Sequence, residues 1–258
     1  MSRPLVECKN LAVGYDDKPV LQGIDLEIEA GEIVALLGGS GCGKSTLLRA
    51  MTGLLRPLSG ELNILGEPLY DLSTQDRAKL LRHTGTAFQQ DALFGSMTVG
   101  ENISLPLTEL TKLPRVIIDE MVALRLAMVG LAGYERRQPT SLSGGQRKRA
   151  ALARASILDP RIMFCDEPSA GLDPAIAAAI DQTLLQFRAA LGVTIVVVTH
   201  EIASIEAIAD RAVMFANGGI VARGTIEELK ASKDEEVFNF FHRVADQSGP
   251  TMMSRQLP

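Results

Sequence analysis

Residues 38–46 combine glycines, a lysine and three hydroxyl side chains, and they contain the order Gly, four residues, Gly, Lys, Ser, which is typical of nucleotide phosphate-binding loops. An apolar run at 33–37 predicts a buried strand before the loop, and residues 47–51 predict a helix after it. Glycines accept φ values that other residues avoid, so backbone N–H groups can point at an anion. Lys44 can then bind the terminal phosphates of a nucleoside triphosphate, and Ser45 can bind Mg²⁺. The predicted phosphate-binding residues are Gly38, Gly39, Ser40, Gly41, Cys42, Gly43, Lys44, Ser45 and Thr46.

A second apolar run, residues 162–165, ends in two carboxylates, Asp166 and Glu167. A carboxylate at the end of a buried strand is typical of the residue that binds Mg²⁺ beside a triphosphate, the Walker B arrangement. The following carboxylate can polarise a water molecule that attacks the γ-phosphate. Taken alone, an Asp-Glu pair after a strand is more simply a helix-capping turn. Together with the phosphate loop, the pair predicts Asp166 as a metal ligand and Glu167 as the general base.

A polar turn lies between these two motifs, after Leu142 and before a helical pattern rich in Ala and Arg at residues 147–156. A Ser-Gly-Gly turn at a helix start offers a hydroxyl, free N–H groups and the positive end of the helix dipole, which predicts a second anion site. One chain has little use for two such sites on one triphosphate. Two facing chains could each close this second site over the nucleotide that the other holds. The residues predicted for it are Ser143, Gly144, Gly145 and Gln146.

The composition narrows the classes of function. The 258 residues carry 26 Lys and Arg against 31 Asp and Glu, a formal net charge of -5, and an acidic chain is a poor generic partner for nucleic acid. The apolar runs are far shorter than the roughly 20 residues that span a bilayer, and no N-terminal signal is visible. Cys8, Cys42 and Cys165 are too sparse for a disulfide framework or a zinc site, so we expect a reducing cytosol.

The spacing of apolar residues predicts strands that alternate with helices. Residues 5–30 alternate apolar and polar residues, as short antiparallel strands do, and 193–199 are β-branched, as in a buried parallel sheet. Residues 112–137 predict a helical insertion. The pattern favours a doubly wound, mostly parallel sheet that binds its ligand at the carboxyl ends of the strands. Further helices are predicted at 73–82, 174–190 and 201–209, and a hairpin at 212–222.

The sequence Leu-Ser-Gly-Gly-Gln at 142–146, between the two Walker motifs, resembles the signature of ATP-binding-cassette (ABC) ATPases. The resemblance extends over nearly the whole chain. It implies a P-loop NTPase fold of the ABC ATPase type, with a mostly parallel RecA-like core sheet, an N-terminal antiparallel β subdomain and an inserted α-helical subdomain. We accordingly expect an ABC ATPase domain at 1–245, its helical subdomain at about 91–157, and a flexible tail at 246–258.

Four further elements resemble the family's motifs in the family's order. Tyr15 resembles the aromatic residue that stacks on adenine, Gln89 the Q-loop glutamine that contacts Mg²⁺, and His200 the switch histidine that holds the γ-phosphate. Residues 169–173, which end in Asp173, resemble the D-loop. The resemblance implies ATP and Mg²⁺ as cofactors and two copies of the chain around two ATP molecules. It implies Glu167, His200, Gln89 and Lys44 as catalytic residues, and Ser45, Gln89 and Asp166 as metal ligands.

Within the family, the chain resembles the ATPases of membrane transporters more than those acting on DNA or ribosomes. Only about 120 residues separate the Walker motifs, without the sustained heptads of the long coiled coils in DNA-acting members. Residues 88–107, 147–155 and 237–241 resemble the ATPase of MCE-type phospholipid transporters of Gram-negative bacteria. The alternative is an importer of amino acids or another small solute, and a non-transport ATPase acting on DNA is a further one.

The transporter reading implies partners and a location. We expect permease subunits on separate chains, an MCE-domain protein with them, and no nucleic acid. The expected location is the cytoplasmic face of the bacterial inner membrane, as a peripheral subunit.

Overall fold

The computed structural model describes residues 3–242, which contain ten strands and nine α-helices. The strands are β1 (Val6–Tyr15), β2 (Lys18–Ile28), β3 (Ile33–Gly38), β4 (Ser59–Ile64), β5 (Glu67–Pro68), β6 (Thr84–Ala87), β7 (Ile162–Asp166), β8 (Thr194–Val198), β9 (Arg211–Ala216) and β10 (Gly219–Gly224). The helices are α1 (Lys44–Met51), α2 (Thr74–Leu81), α3 (Val99–Leu110), α4 (Arg115–Met128), α5 (Gly144–Ser156), α6 (Pro174–Leu191), α7 (Ile202–Ile208), α8 (Ile226–Lys230) and α9 (Glu235–His242).

Six strands form the central sheet, in the order β10-β9-β3-β8-β7-β6. Every neighbouring pair is parallel except the β9–β10 hairpin, as the sequence predicts. All residues of β3 and β8 are buried, which suits their runs of Val, Ile and Leu. Since β3, β7 and β8 are parallel, the segments that follow them meet at one edge of the sheet. These segments are the phosphate loop, the Asp-Glu pair and His200.

Four strands form a second, antiparallel sheet, in the order β2-β1-β4-β5, which confirms the prediction for residues 5–30. Successive side chains of a strand point to opposite faces, so β3 contributes to two cores. Val34 and Leu36 pack with this second sheet and with α1. Ile33, Ala35 and Leu37 pack with the helices on the other face. The phosphate loop therefore starts from a strand that is fixed on both sides.

Helix α3 is absent from the sequence prediction, because Pro106 lies inside it and proline normally ends a helix. The helix begins with a capping box in which the Thr98 hydroxyl accepts from the N–H of Glu101 at 3.2 Å and the Glu101 carboxylate accepts from the N–H of Thr98 at 2.7 Å. Val99 and Ile103 are buried in the helical core. Capping and burial together stabilise a helix that local propensity disfavours.

The predicted helical insertion at 112–137 is helical only over α4, and the prediction is wrong for residues 129–137. Gly130 adopts a φ of 67° after the last turn. Its N–H donates to Ala127 at 3.0 Å and the N–H of Leu131 donates to Leu126 at 2.8 Å, which is a Schellman ending. The spacing of apolar residues does not indicate where this helix ends. The tail predicted to be flexible, 246–258, lies outside the described residues.

Candidate nucleotide-binding site

The phosphate loop joins β3 to α1, and two of its glycines lie where other residues would not fit. Gly38 has a φ of 140°, and a Cβ added to it would lie 2.2 Å from a carbonyl oxygen of β9. Gly43 has a φ of 105°, and a Cβ there would lie 2.7 Å from a side chain of β2. Beside Gly39 and Gly41 a Cβ would meet nothing within 4 Å. The loop is thus packed on its inner side and open on its outer side, as a phosphate cradle requires.

Lys44 is the first residue of α1, and only 8% of it is exposed. Its ammonium group donates to the carbonyl oxygens of Gly38 at 2.7 Å and Gly39 at 2.9 Å. A buried cation needs such acceptors, and the loop backbone supplies them. Phosphate oxygens are stronger acceptors than neutral carbonyl groups. The ammonium group is therefore placed within the loop where terminal phosphates can take over these bonds.

Asp166 ends β7 and accepts a hydrogen bond from the Ser45 hydroxyl at 3.2 Å. Burial raises the pKa of the Asp166 carboxyl, while Ser45 and the positive charges of Arg49, Lys44 and Lys148 oppose that shift. A partly buried carboxylate whose ionised form is disfavoured gains from a nearby cation. Two oxygen ligands on adjacent elements fit Mg²⁺, which takes few protein ligands beside substrate phosphates. Within residues 3–242, no group of three or more Asp, Glu, His or Cys residues could hold a metal by itself.

Glu167 directs its carboxylate toward His200, which follows β8. The distance between Glu167 Oε1 and His200 Nδ1 is 2.8 Å. An ionised carboxylate only accepts, so Nδ1 is the donor in this contact. The other oxygen, Oε2, is buried and has no hydrogen-bond partner within the described residues. The histidine thus orients one carboxylate oxygen, and the other oxygen has no partner among the described residues.

The backbone of Glu167 is strained. Its φ is 49°, in the left-handed region that non-glycine residues rarely adopt, and its N–H donates to the carbonyl oxygen of Val198 on β8 at 2.9 Å. Such a conformation persists only where the surroundings enforce it. Through this bond β8, the strand that precedes His200, holds the backbone of Glu167, whose side chain contacts His200. The sheet therefore sets the position of the pair.

Gln89 lies in the segment between β6 and α3, and the Q-loop is defined here as residues 88–92. The carbonyl oxygen of Gln89 accepts a hydrogen bond from the Lys148 ammonium group. The same ammonium group lies 3.4 Å from the carbonyl oxygen of Glu167. Lys148 thus connects the backbone of Gln89 to that of Glu167. Lys148 is not among the site residues predicted from the sequence. The triplet 147–149 gave no signal for this role, because basic residues in a helix usually face solvent.

Tyr15 lies at the end of β1, and 43% of it is exposed. Its hydroxyl oxygen accepts from the Arg49 guanidinium group at 3.1 Å. Arg49 belongs to α1, so the bond ties the aromatic ring to the helix that follows the phosphate loop. An exposed ring fixed in this way offers a flat surface to a base. Arg49 is a second residue that motif spacing did not reveal.

The Ser-Gly-Gly turn begins α5, and the side chains of Ser143 and Gln146 bond to backbone N–H groups of the same turn. The Ser143 hydroxyl accepts from the N–H of Gln146 at 3.3 Å, and the Gln146 side-chain oxygen accepts from the N–H of Ser143 at 2.9 Å. A Cβ on Gly145 would lie 2.3 Å from a side chain of α6. Asp173 caps α6 by accepting from two backbone N–H groups at 3.1 Å. Signature and D-loop are therefore neighbours.

The predicted site residues form two groups in the single chain. The phosphate loop, Asp166, Glu167, His200, Tyr15 and Gln89 are linked by the contacts described above. The signature residues 143–146 form a second group with the D-loop. No hydrogen bond or ion pair between residues 3 and 242 joins residues 143–146 to residues 38–46. The two groups of predicted site residues are thus separate within one chain.

The family described as ABC transporter matches residues 21–170, more than half of the chain. This stretch includes the phosphate loop, the Q-loop, the signature and the Walker B pair. The chain belongs to the ABC transporter family. The resemblance inferred from the signature motif is thereby confirmed.

Three similar ABC relatives differ in the transport named for them. The "Intermembrane phospholipid transport system ATP-binding protein MlaF" of Haemophilus influenzae is 36% identical over 95% of this chain and 93% of its own length. The "Probable ribonucleotide transport ATP-binding protein mkl" of Mycobacterium leprae is 38% identical over 97% of this chain and 72% of its own. The "Methionine import ATP-binding protein MetN" of Carboxydothermus hydrogenoformans is 37% identical over 98% and 74%.

Solved ABC structures share the fold. The chain cbiO1 of Clostridium perfringens, part of the transporter complex cbiONQ, superposes with a TM-score of 0.82 at 32% identity over 90% of this chain and 92% of that chain. The cassette MJ0796, a dimer in a post-hydrolysis state bound to ADP and Pi, gives 0.79 at 31% identity over 86% and 98%. The predicted ABC ATPase fold is confirmed, and the chain is an ATPase of this family.

Within residues 3–242, none of the helices combines the length and the apolar composition needed to cross a membrane.

Proposed function

We propose that this ABC ATPase powers phospholipid transport between bacterial membranes through separate permease subunits. The observation that carries the proposal is the similarity to MlaF of H. influenzae, which runs over 95% of this chain and 93% of that protein. The residues that follow the Q-loop support it, because they resemble those of lipid transporters. The proposed location is the cytoplasmic face of the inner membrane, with an MCE-domain protein in the same complex.

We assign the hydrolytic roles to the residues that β3, β7 and β8 bring together. The phosphate loop holds the triphosphate through its N–H groups and the Lys44 ammonium group. Ser45 and Asp166 would hold Mg²⁺ with help from Gln89, and the bound ion would neutralise charge on the terminal phosphates. Glu167 accepts a proton from the attacking water, while His200 holds the carboxylate in orientation. Tyr15 stacks on the base.

We also propose that a second copy completes each site. The Ser143 oxygen accepts from Gln146, so the hydroxyl proton stays available for a phosphate oxygen. The first N–H groups of α5, at Gly144 and Gly145, have no acceptor within their own helix. A γ-phosphate held by the phosphate loop of the facing chain would satisfy these donors. The solved dimer of MJ0796 supports a paired arrangement.

The subdomain boundaries belong to the same proposal. We place one ABC ATPase domain at residues 1–245 and its helical subdomain at about 91–157, which includes α3, α4 and α5. The signature lies at the start of α5, so movement of this subdomain would carry the second anion site toward or away from a partner's nucleotide.

A cleft of about 640 Å³ beside the Q-loop is the proposed docking site of the permease. Exposed Phe88 and Phe94 and the apolar side of α3 line it, and so do Arg82 and Arg154. Apolar walls with two guanidinium groups suit an amphipathic helix that carries an acidic side chain. We propose that this helix belongs to a cytoplasmic loop of the permease.

Affinity purification of the full chain from membranes, followed by identification of the co-purifying proteins, tests this function. We expect a permease and an MCE-domain protein with the wild-type chain. Phe94→Glu should lose the permease, whereas Leu124→Glu, which changes another exposed apolar residue, on α4, should keep it. Recovery of a periplasmic amino-acid-binding protein with the permease would instead favour the small-solute importer, for which the similarity to MetN is the supporting observation.

A further inference from the structure

Three strained residues of the site lie around one buried cation. Asp91, Ala92 and Glu167 have φ values of 57°, 52° and 49°, in the left-handed region that side chains with a Cβ disfavour. Two of them are consecutive residues of the Q-loop, and the third is the proposed general base. Strained conformations of this kind persist where neighbouring groups over-determine them. Lys148 on α5 touches both segments.

The ammonium group of Lys148 bridges the two segments. It donates to the carbonyl oxygen of Gln89 and lies 3.4 Å from the carbonyl oxygen of Glu167. It also lies 3.5 Å from a carboxylate oxygen of Asp91. Only 9% of Lys148 is exposed, so these acceptors replace the water that the cation would otherwise have. The bridge therefore depends on both backbones staying in place.

Two arginines of α5 fix the other side of the Q-loop. Arg147 lies 3.4 Å from the second carboxylate oxygen of Asp91. Arg154 donates to the carbonyl oxygens of Asp91 at 3.2 Å and Ala92 at 2.7 Å. The signature helix thus holds the strained pair through its backbone and its carboxylate. Arg154 and Ala92 also line the cleft proposed for the permease, so movement there reaches the Q-loop directly.

We propose that Lys148 is a positioning residue for hydrolysis, which transmits the state of the Q-loop to the carboxylate of Glu167. The inference rests on the proposed role of Glu167 as general base. By holding the Glu167 carbonyl oxygen, the ammonium group keeps this residue left-handed and its carboxylate against His200. A displaced Q-loop pulls Lys148 away, and the general base loses its orientation. Lys148 touches no reacting atom and holds Glu167 through the carbonyl oxygen of that residue.

Steady-state ATP hydrolysis by the full-length Lys148→Met variant tests the proposal. Methionine keeps most of the side-chain volume and removes the charge and the donors. We expect kcat to fall about 10- to 100-fold, the range for a catalytic group misplaced by about 1 Å, while KM for ATP changes less than about two-fold. Lys148→Arg, which keeps the charge and the donors, should recover most of kcat.

Arg125→Met is the matched control. Arg125 is another buried cation of the helical region, 5% exposed, and it pairs with Asp159 at 2.5 Å. Its loss should lower the Tm and leave kcat near the wild-type value. An equal loss of kcat in both variants would mean general destabilisation and overturn the proposal. Should Lys148→Met not fold, Lys148→Gln carries the same test, with a kcat between those of the methionine and arginine variants.

Glu167→Gln, assayed in parallel, distinguishes failure of the role proposed for Lys148 from failure of the role proposed for Glu167. If Glu167→Gln is inactive and Lys148→Met hydrolyses ATP at the wild-type rate, the role of Lys148 is wrong and that of Glu167 stands. If KM rises while kcat is unchanged in Lys148→Met, Lys148 serves nucleotide binding, which also overturns the proposal. Normal turnover by Glu167→Gln would instead remove the assignment of the general base.

Discussion

The two anion-binding ends of α1 and α5 look alike in sequence and differ in how they are connected. The start of α1 is tied into the core, because Lys44, Ser45 and Arg49 contact the phosphate loop, Asp166 and Tyr15. At the start of α5, Ser143 and Gln146 bond to each other's backbone N–H groups, Gln146 also donates to Tyr134, and the turn lies against α6 beside the D-loop. We propose that the start of α1 is the finished half of an ATP site. The start of α5 is then a prepared surface that meets the nucleotide held by another chain.

Lys44→Ala should have the largest effect, because it breaks the finished half. Loss of a charged hydrogen-bond donor to phosphate should weaken ATP binding by about 10- to 100-fold and bring hydrolysis to background. Titration with a fluorescent ATP analogue and phosphate release measure the two effects. Lys230→Ala, which removes an exposed lysine paired with Glu206 at 2.7 Å, is the control and should behave as wild type. Normal turnover in Lys44→Ala would contradict the assignment of the loop.

Ser143→Arg should break only the prepared surface. A bulky cation at the start of α5 occupies the position where this turn would meet the γ-phosphate of a facing chain, so turnover should stop while monomers bind ATP as tightly as wild type. The change also removes a helix cap, which costs about 1 kcal/mol. Thr225→Arg controls for that loss, because Thr225 forms the same kind of capping box on α8. If Ser143→Arg monomers no longer bound ATP, the signature would belong to the same chain's site.

Glu167→Gln should keep both halves and remove the proton acceptor. We expect a loss of about 10²- to 10⁴-fold in kcat, the usual contribution of a general base, and an ATP-bound dimer that accumulates. Light scattering with and without ATP measures the dimer. Glu201→Gln is a suitable control, because Glu201 lies on the other side of His200, at 4.0 Å. A monomeric Glu167→Gln chain at saturating ATP would argue against the paired site.

We expect the smallest effect from Asp166→Asn on stability, where the variant should raise the Tm instead of lowering it. Burial raises the folded-state pKa of Asp166, so the folded chain binds more protons than the unfolded chain between the two pKa values, and stability falls as pH rises through that window. The asparagine variant lacks this penalty and should melt about 1 to 3 °C higher at pH 7, with the difference shrinking toward pH 4. It should gain no stability from Mg²⁺ with ATP. A lower Tm at pH 7 would contradict the role of burial.

The two helix starts also show which features of the site can be predicted from the sequence. Short motifs are local, so the phosphate loop could be predicted from its spacing, the Walker B pair from its combination with that loop, and the signature from its resemblance to the family motif. The bridge by Lys148 and the bond from Arg49 to Tyr15 join elements far apart in the chain, and no local pattern encodes them. Helix α3 escaped prediction because its stability comes from a cap and from burial, against the effect of Pro106.

The backbone conformation at the strained positions could not be predicted from the sequence either. The residue types at 92 and 167 do not indicate a left-handed backbone, because Ala and Glu rarely adopt it, whereas Asp, as at 91, adopts it more often. The surroundings impose it through α5 and β8. The residue types of the site were thus predictable, while the backbone geometry that orients them depends on tertiary contacts.

Mixing two inactive variants tests the paired site most directly. In a dimer that joins a Lys44→Ala chain to a Ser143→Arg chain, both changes fall in one ATP site if the sites form between chains, and the other site stays intact. Random mixing of equal amounts should leave about a quarter of all sites intact, so hydrolysis should return well above that of either variant alone. If the mixture stays at background while mixed dimers form, as shown by two different affinity tags, each site would be built within one chain, and the account would be wrong.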